Sequence, residues 1–374
     1  MSLPSIAVVI PLYNHSAYIT EALQSVAAQT YPAKEVWVID DGSPDDSHAK
    51  AQACQEFLPQ LHCETRENRG AHATLNEAIK KAVDCDLVAI LNSDDVYLPH
   101  RLEHAAKAFS EDPEQQMWCS PLRVINQDSQ VLAPEHPRSR WFDTAWSLPH
   151  EVPSPVESLA IANFPATTSN IIARSAWLAQ YPFRGYRYAH DYFALLWAAF
   201  HEALGFGSEV SLSYRVHDSN TITTEPRRLI EEMLRFNLDL TRAVHDPAVP
   251  EQVRKNHTRY FQAAADNFSA FRQDLFLGMA ARALAEYPNG EKLLAQALAQ
   301  PEAGVFPNKN LANTHDKNCA LFGAGSGIAE RLTRLQEENR NLRHELKQLR
   351  AQEKEWQRKN QSRSQALRRL LGLK

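Results

Sequence analysis

Ile6-Ala7-Val8-Val9-Ile10, followed at once by Pro11-Leu12-Tyr13-Asn14, decides the fold class. Five consecutive apolar residues, mostly β-branched, mark a strand buried on both faces, as in a parallel sheet covered by helices. Asn14-His15-Ser16 then offers caps for a helix with Ile19, Leu23 and Val26 on one face, stopped by Tyr31-Pro32. Val36-Trp37-Val38-Ile39 repeats the strand pattern before the turn Gly42-Ser43-Pro44. Residues 73–83 read as a helix, and Leu87-Val88-Ala89-Ile90-Leu91 as a third buried strand. The alternation predicts an α/β fold with a mostly parallel sheet.

Each of these strands runs into a polar cluster. Pro11-Leu12-Tyr13-Asn14 follows the first, Asp40-Asp41-Gly42-Ser43 the second and Asn92-Ser93-Asp94-Asp95 the third. Parallel strands bring such ends to one edge, where open α/β sheets bind ligands, so the three clusters should share a cleft.

Further along, residues 111–165 are rich in Pro, Ser and Trp and read as a loop-rich insertion with an isolated strand or two near 122–125. Order returns with a strand near 170–173, a short helix, a longer helix over 191–202 and a last strand within 210–216. The domain plan is a catalytic unit at 1–225, a helical extension at 226–300, a linker at 301–327, a coiled coil at 328–358 and a basic amphipathic tail at 359–374. The coiled coil rests on heptad positions Leu332, Leu335, Leu342, Leu346, Leu349 and Trp356. Asn339 at an a position favours a specified register and a homodimer. Gly323-Ala324-Gly325-Ser326-Gly327 reads as a hinge, because no acidic residue sits on a second strand downstream of it.

Composition narrows the partners. The formal net charge of -5 argues against nucleic acid, whose phosphates call for a basic face. Five scattered cysteines without a C-x-x-C fit reduced thiols better than a disulfide framework or a zinc site. With no signal-peptide pattern and no stretch of about 18 apolar residues, the expectation is a cytoplasmic protein. The basic tail would allow peripheral contact with the cytoplasmic face of an inner membrane.

Taken together, "VVIPLYNHSAYITEALQSVAAQTYP", "VWVIDDGSPDDS", "ENRGAHATLNEAI" and "AILNSDDVYLPHRL", continued in "TTSNIIARSAW" and "YRYAHDYFALLWAAF", resemble the family 2 glycosyltransferases of GT-A fold over about residues 4–220. The resemblance implies a nucleotide-sugar donor and a glycan or lipid-linked acceptor. Pro11, Tyr13, Asn14, Asp40, Asp41, Asn68, Gly70, Asn76, Ser93 and Asp94 would form the donor site. A carboxylate at Asp41 can accept the imide N–H of uracil or thymine, which favours UDP or dTDP donors. Adjacent carboxylates need a compensating charge, and a hard cation, Mn²⁺ or Mg²⁺, supplies it. By the family pattern Asp95 is the direct metal ligand, Asp94 contacts donor sugar or ribose, and His217 of Tyr214-Arg215-Val216-His217 approaches the metal or diphosphate. Asp191 is the candidate general base, although His190 stands where the family usually has Glu. The Q-x-x-R-W motif of processive synthases is absent, so one sugar is expected per encounter, with inversion. The competing functions are a nucleotidyltransferase, which usually carries a Gly-rich phosphate loop after the first strand, and a non-catalytic coiled-coil assembly protein.

Overall fold

The structure is a computed structural model that describes residues 3–152, 154–217 and 246–268, together with 232, 235–237, 239–240 and 242–244. All of them fall within one compact unit, Met1–Glu286. The expected linker, coiled coil, Gly-rich hinge and basic tail lie outside the described residues.

The three strands read from sequence are present as β1 (Ile6–Leu12), β2 (Glu35–Asp40) and β4 (Leu87–Ile90). With β3 (Leu61–Thr65), β6 (Met117–Cys119), β8 (Ile172–Arg174) and β9 (Leu204–Phe206) they form a seven-stranded sheet of order β3-β2-β1-β4-β8-β6-β9. The sheet is mostly parallel. β8 alone reverses, running antiparallel to both β4 and β6.

Alternation of side chains along β1 explains why both faces are apolar. Ala7 and Val9 join a core with Ile39, Val88 and Ile90, under α3 (Ala71–Lys81), α8 (Ser175–Gln180) and α9 (His190–Phe200). Ile6, Val8 and Ile10 join another with Val36, Val38 and Ala89, under α1 (Ile19–Ala27), α2 (Ser47–Ala53) and α4 (Arg101–Glu111). A strand with no solvent-facing side has no polar position to offer, hence the unbroken apolar run.

A second sheet has three strands in the order β5 (Val96–Tyr97), β10 (Leu212–Arg215), β7 (Leu122–Ile125). The last strand expected from sequence is therefore present, but it lies outside the main sheet. The stretch expected to be loop-rich, with its strand at Leu122–Ile125, also holds three short helices: α5 (Pro137–Ala145), α6 (Leu148–Glu151) and α7 (Pro155–Ile161). Each of the three carries a proline at its first or second position. There the missing N–H costs nothing, because the first helical N–H groups have no intrahelical partner. The prolines that suggested a loop are helix starts. A final helix, α10 (Glu251–Phe268), packs on α7 and α9 as part of the same unit.

Candidate active site

Pairing of Leu12 with Asp40 aligns the ends of β1 and β2, and Leu91 N–H donates to Val9 O beside them. The loops are stitched together: Asn14 N–H donates to Ser43 Oγ at 2.8 Å and His15 N–H to Ser47 Oγ at 2.9 Å. Asn14 holds a left-handed backbone, φ 55°, and Tyr13 stands half-exposed at the rim.

The two carboxylates of the first acidic pair differ in role. Asp40 is buried and accepts from Ser43 N–H (3.2 Å), the Ser43 hydroxyl and Thr65 Oγ1 (2.7 Å), so it braces the turn against β3. Expected among the donor contacts, Asp40 is occupied by its own chain. Asp41 accepts from Arg69 N–H and Gly70 N–H, both at 2.8 Å, and from the Arg66 guanidinium. Its carboxylate organises the 66–70 loop, on which Asn68 is exposed. Gly42 (φ 73°) lets that loop approach, since a Cβ there would lie 3.0 Å from Arg66 O and 3.3 Å from Asn68 N. Asn76, expected at the donor, makes a two-way clasp instead: its Nδ2 donates to Phe183 O (2.8 Å), and Phe183 N–H donates to its Oδ1 (2.9 Å).

The second pair reverses the expected order. Asp95 is buried, and its two oxygens accept from Arg215 N–H (2.8 Å), Ser169 Oγ (2.5 Å) and Thr167 Oγ1 (3.2 Å). Burial first, and the charge of Asp94 second, raise its carboxyl above the usual carboxylate range. Asp94 is the one that meets histidines. His217 Nε2 lies 3.0 Å from Asp94 Oδ2, and His15 Nε2 lies 4.0 Å from the same oxygen. Burial alone would raise Asp94, but the His217 bond and the two imidazoles override it and hold the carboxyl low. Ser93, expected at the donor, is buried and bonds His15 Nδ1 at 2.8 Å, which turns His15 Nε2 toward Asp94. Ligand atoms of His15, Asp94 and His217 all lie within 4.8 Å of one another. Thus His15 and His217 gather about Asp94, while Asp95, which the resemblance made the direct ligand, is engaged by Arg215, Ser169 and Thr167. His15 read only as a helix cap. The signal that could have found it is the adjacency of β1 and β4, whose following loops must meet.

Thr167 and Ser169 were also missed as site residues. A turn of 3₁₀ helix at Thr168–Asn170 presents Ser169 Oγ to Asn92 N–H (2.8 Å), while Asn92 Nδ2 donates to Thr167 Oγ1 (2.9 Å). The turn is a second clasp over the end of β4. It also reaches α9, because Thr168 Oγ1 lies 3.0 Å from His190 Nε2. Asp191 follows in the first turn of α9, buried, with Tyr192 N–H on its Oδ1 at 2.7 Å. Burial outweighs His190 and the backbone bonds and raises the Asp191 carboxyl above its ordinary value. The start of α9, which carries Asp191, is thus joined through His190 and Thr168 to the turn whose Thr167 and Ser169 bond Asp95.

Solved structures share this architecture. Staphylococcus aureus TarS, residues 1–349, solved with UDP-GlcNAc, has TM-score 0.54 at 18% identity over 76% of this chain and 82% of its own. A mannosyltransferase of Pyrobaculum calidifontis, solved with GDP-Man and Mn²⁺, has TM-score 0.51 at 19% identity over 80% and 81%. The fold is thus an α/β fold of the GT-A type. In sequence, residues 7–167 match the model of glycosyl transferase family 2. An uncharacterized glycosyltransferase of Rickettsia typhi is 28% identical over 239 residues, 61% of this chain and 69% of that protein; one of Nostoc is 34% identical over 105 residues, 28% of this chain and 32% of that protein. Over residues 7–167 the chain is thus similar to glycosyl transferase family 2, and the names of these relatives support a transferase enzyme.

Proposed function

We propose that the enzyme transfers one sugar, with inversion and dependence on a divalent cation, from a UDP- or dTDP-sugar to a hydroxyl of a glycan or glycolipid acceptor. The observation that carries this is the convergence of His15, Asp94 and His217.

Two imidazoles and one carboxylate form a donor set that suits Mn²⁺ better than Mg²⁺, which prefers an all-oxygen shell. When bound, the cation supplies positive charge against the departing nucleoside diphosphate. Asp41 supports a uracil or thymine base. Its Oδ2 accepts only Gly70 N–H among the described residues, and a second acceptor direction on that oxygen fits an imide N–H. Asp191 takes the proton of the acceptor hydroxyl as the new C–O bond forms and the bond to diphosphate breaks; burial raises its carboxyl above the ordinary Asp value and makes it a stronger proton acceptor. The structural relatives, solved with UDP-GlcNAc and with GDP-Man and Mn²⁺, are in keeping with such a donor. A role in surface polysaccharide synthesis at the cytoplasmic face of a membrane, as a homodimer, extends the same proposal on the strength of the heptads and basic tail.

Calorimetric titration of the full chain with UDP- and dTDP-sugars, with and without Mn²⁺, tests it. The expected result is binding of at least one donor that requires Mn²⁺ and is lost in Asp94→Asn. Equal donor binding in metal-free protein would overturn the metal dependence.

A further inference from the structure

Helix α9 has a second chemically equipped face. His190, Phe193, Ala194, Trp197 and His201 recur at helical spacing and line a cavity of about 610 Å³ on the side of the helix turned from Asp191. The far wall is the end of α8, with Trp177 and Tyr181, and residues 182–184; the wall opposite is made by Ala243, Asp246 and residues 248–250. The volume falls in the ~300–1,000 Å³ range of small-molecule sites.

Its walls are aromatic and set at angles. Trp177 and Tyr181 have ring centroids 4.5 Å apart at 56°, and Trp197 lies 5.9 Å from Tyr181 at 61°. The polar groups are few and unspent. The Arg184 guanidinium lies over the Phe193 ring at 4.2 Å and makes no hydrogen bond or ion pair among the described residues. Asp246 adds a carboxylate on the opposite wall, with only its Oδ1 engaged, by Ala248 N–H.

We propose that this cavity is a binding subsite for one neutral pyranose unit of the acceptor, away from the hydroxyl that reacts. The inference rests on the transferase reading for the word acceptor, but not for the ligand chemistry. Flat apolar faces match the C–H face of a sugar ring, and the Arg184 guanidinium with the Asp246 carboxylate matches its hydroxyls. One cation balanced by one carboxylate favours a neutral polyol over an anion. A purely apolar ligand would leave Arg184 and Asp246 unanswered. Position supports the link to catalysis. His190 lines the cavity and its Nε2 meets Thr168 Oγ1, in the turn that also bonds Asp95, so a glycan lying along the start of α9 would run toward that turn. The Asn76 clasp on Phe183 fixes the shared wall to α3.

The test is binding of methyl glycosides of glucose, galactose, mannose and N-acetylglucosamine to the full chain, followed by saturation-transfer NMR and tryptophan fluorescence. At least one should saturate, and Arg184→Ala and the cavity-filling Ala194→Phe should each raise its Kd at least tenfold. Melting temperature verifies that both variants fold. If no glycoside saturates, or if binding survives Ala194→Phe, the subsite is overturned. Donor turnover is read separately. Turnover without glycoside binding removes the subsite and leaves the transferase; glycoside binding without turnover of any nucleotide-sugar keeps the subsite and removes the transferase.

Discussion

His217 Nε2 lies 3.0 Å from Asp94 Oδ2, joining the loop after β10 to the end of β4 across 123 positions of sequence. The contact separates two neighbouring carboxylates that sequence alone treats as a pair. Asp94→Asn and His217→Ala should therefore abolish Mn²⁺-dependent donor binding. His15→Ala removes a third candidate ligand and should weaken Mn²⁺ by at least the ~10–100-fold seen when only a ligand's supporting contact is lost. Calorimetry of Mn²⁺ binding checks this; unchanged affinity in His15→Ala would leave that imidazole outside the site.

Asp95→Asn should act on stability first. An amide in place of one carboxylate oxygen turns an N–H₂ toward Arg215 N–H or toward the Ser169 and Thr167 hydroxyls. Leaving a buried donor without an acceptor costs about 1–3 kcal/mol. Thermal melting should show that loss in metal-free protein. A variant that melts like the parent would mean that Asp95 is not held in this way.

Asp191 gives a pH prediction with a definite sign. Its carboxyl is raised in the folded chain, chiefly by burial, so the base is protonated and idle at low pH. Transfer should rise with pH along an acid limb lying above the ordinary Asp range near 3.8. Stability runs the other way. The neutral form is the one the fold prefers, so its contribution is complete below the unfolded pKa and is lost as pH rises through the folded one. Asp191→Asn should abolish transfer, leave donor affinity near normal and melt no lower than the parent at neutral pH. Retained transfer in that variant would assign the proton to another group.

Asn76→Ala removes two hydrogen bonds to Phe183 and should cost about 1–3 kcal/mol in denaturant melts. Donor affinity should fall less than in Asp41→Asn. A larger fall in Asn76→Ala would restore Asn76 to the donor site that the resemblance implied.

Much of this was legible in the sequence because β1, β2 and β4 have no solvent face and so advertise themselves as apolar runs. The strand-end clusters followed from their parallel order. β3 went unread because it is an edge strand, with His62 and Thr65 exposed. β6 and β9 span three residues each, too few for any period to register. The helices α5 to α7 were hidden by prolines whose meaning depends on whether they open a helix or break one. At the site, residue types do not say which partners each carboxylate meets. Asp94 and Asp95 lie in the turn after β4, and which of them faces His15 and His217 depends on the path of that turn. His15, Thr167 and Ser169 carry no motif of their own. They matter only because β1, β4 and β8 lie side by side.

The small sheet also sets an order of events. Its central strand, β10, is the last of the three to be synthesised, and β5 and β7 bond to it rather than to each other. On the ribosome, the acidic pair at 94–95 therefore waits more than a hundred residues for Arg215 and His217. Arg215 itself is fully buried; its guanidinium bonds Asp94 O, Asn126 O and Glu21, and lies over Tyr18. A nascent chain that ends before β10 holds the main sheet's strands with their catalytic edge unfinished. Such an intermediate would expose unpaired strand edges to chaperones or to its own copies.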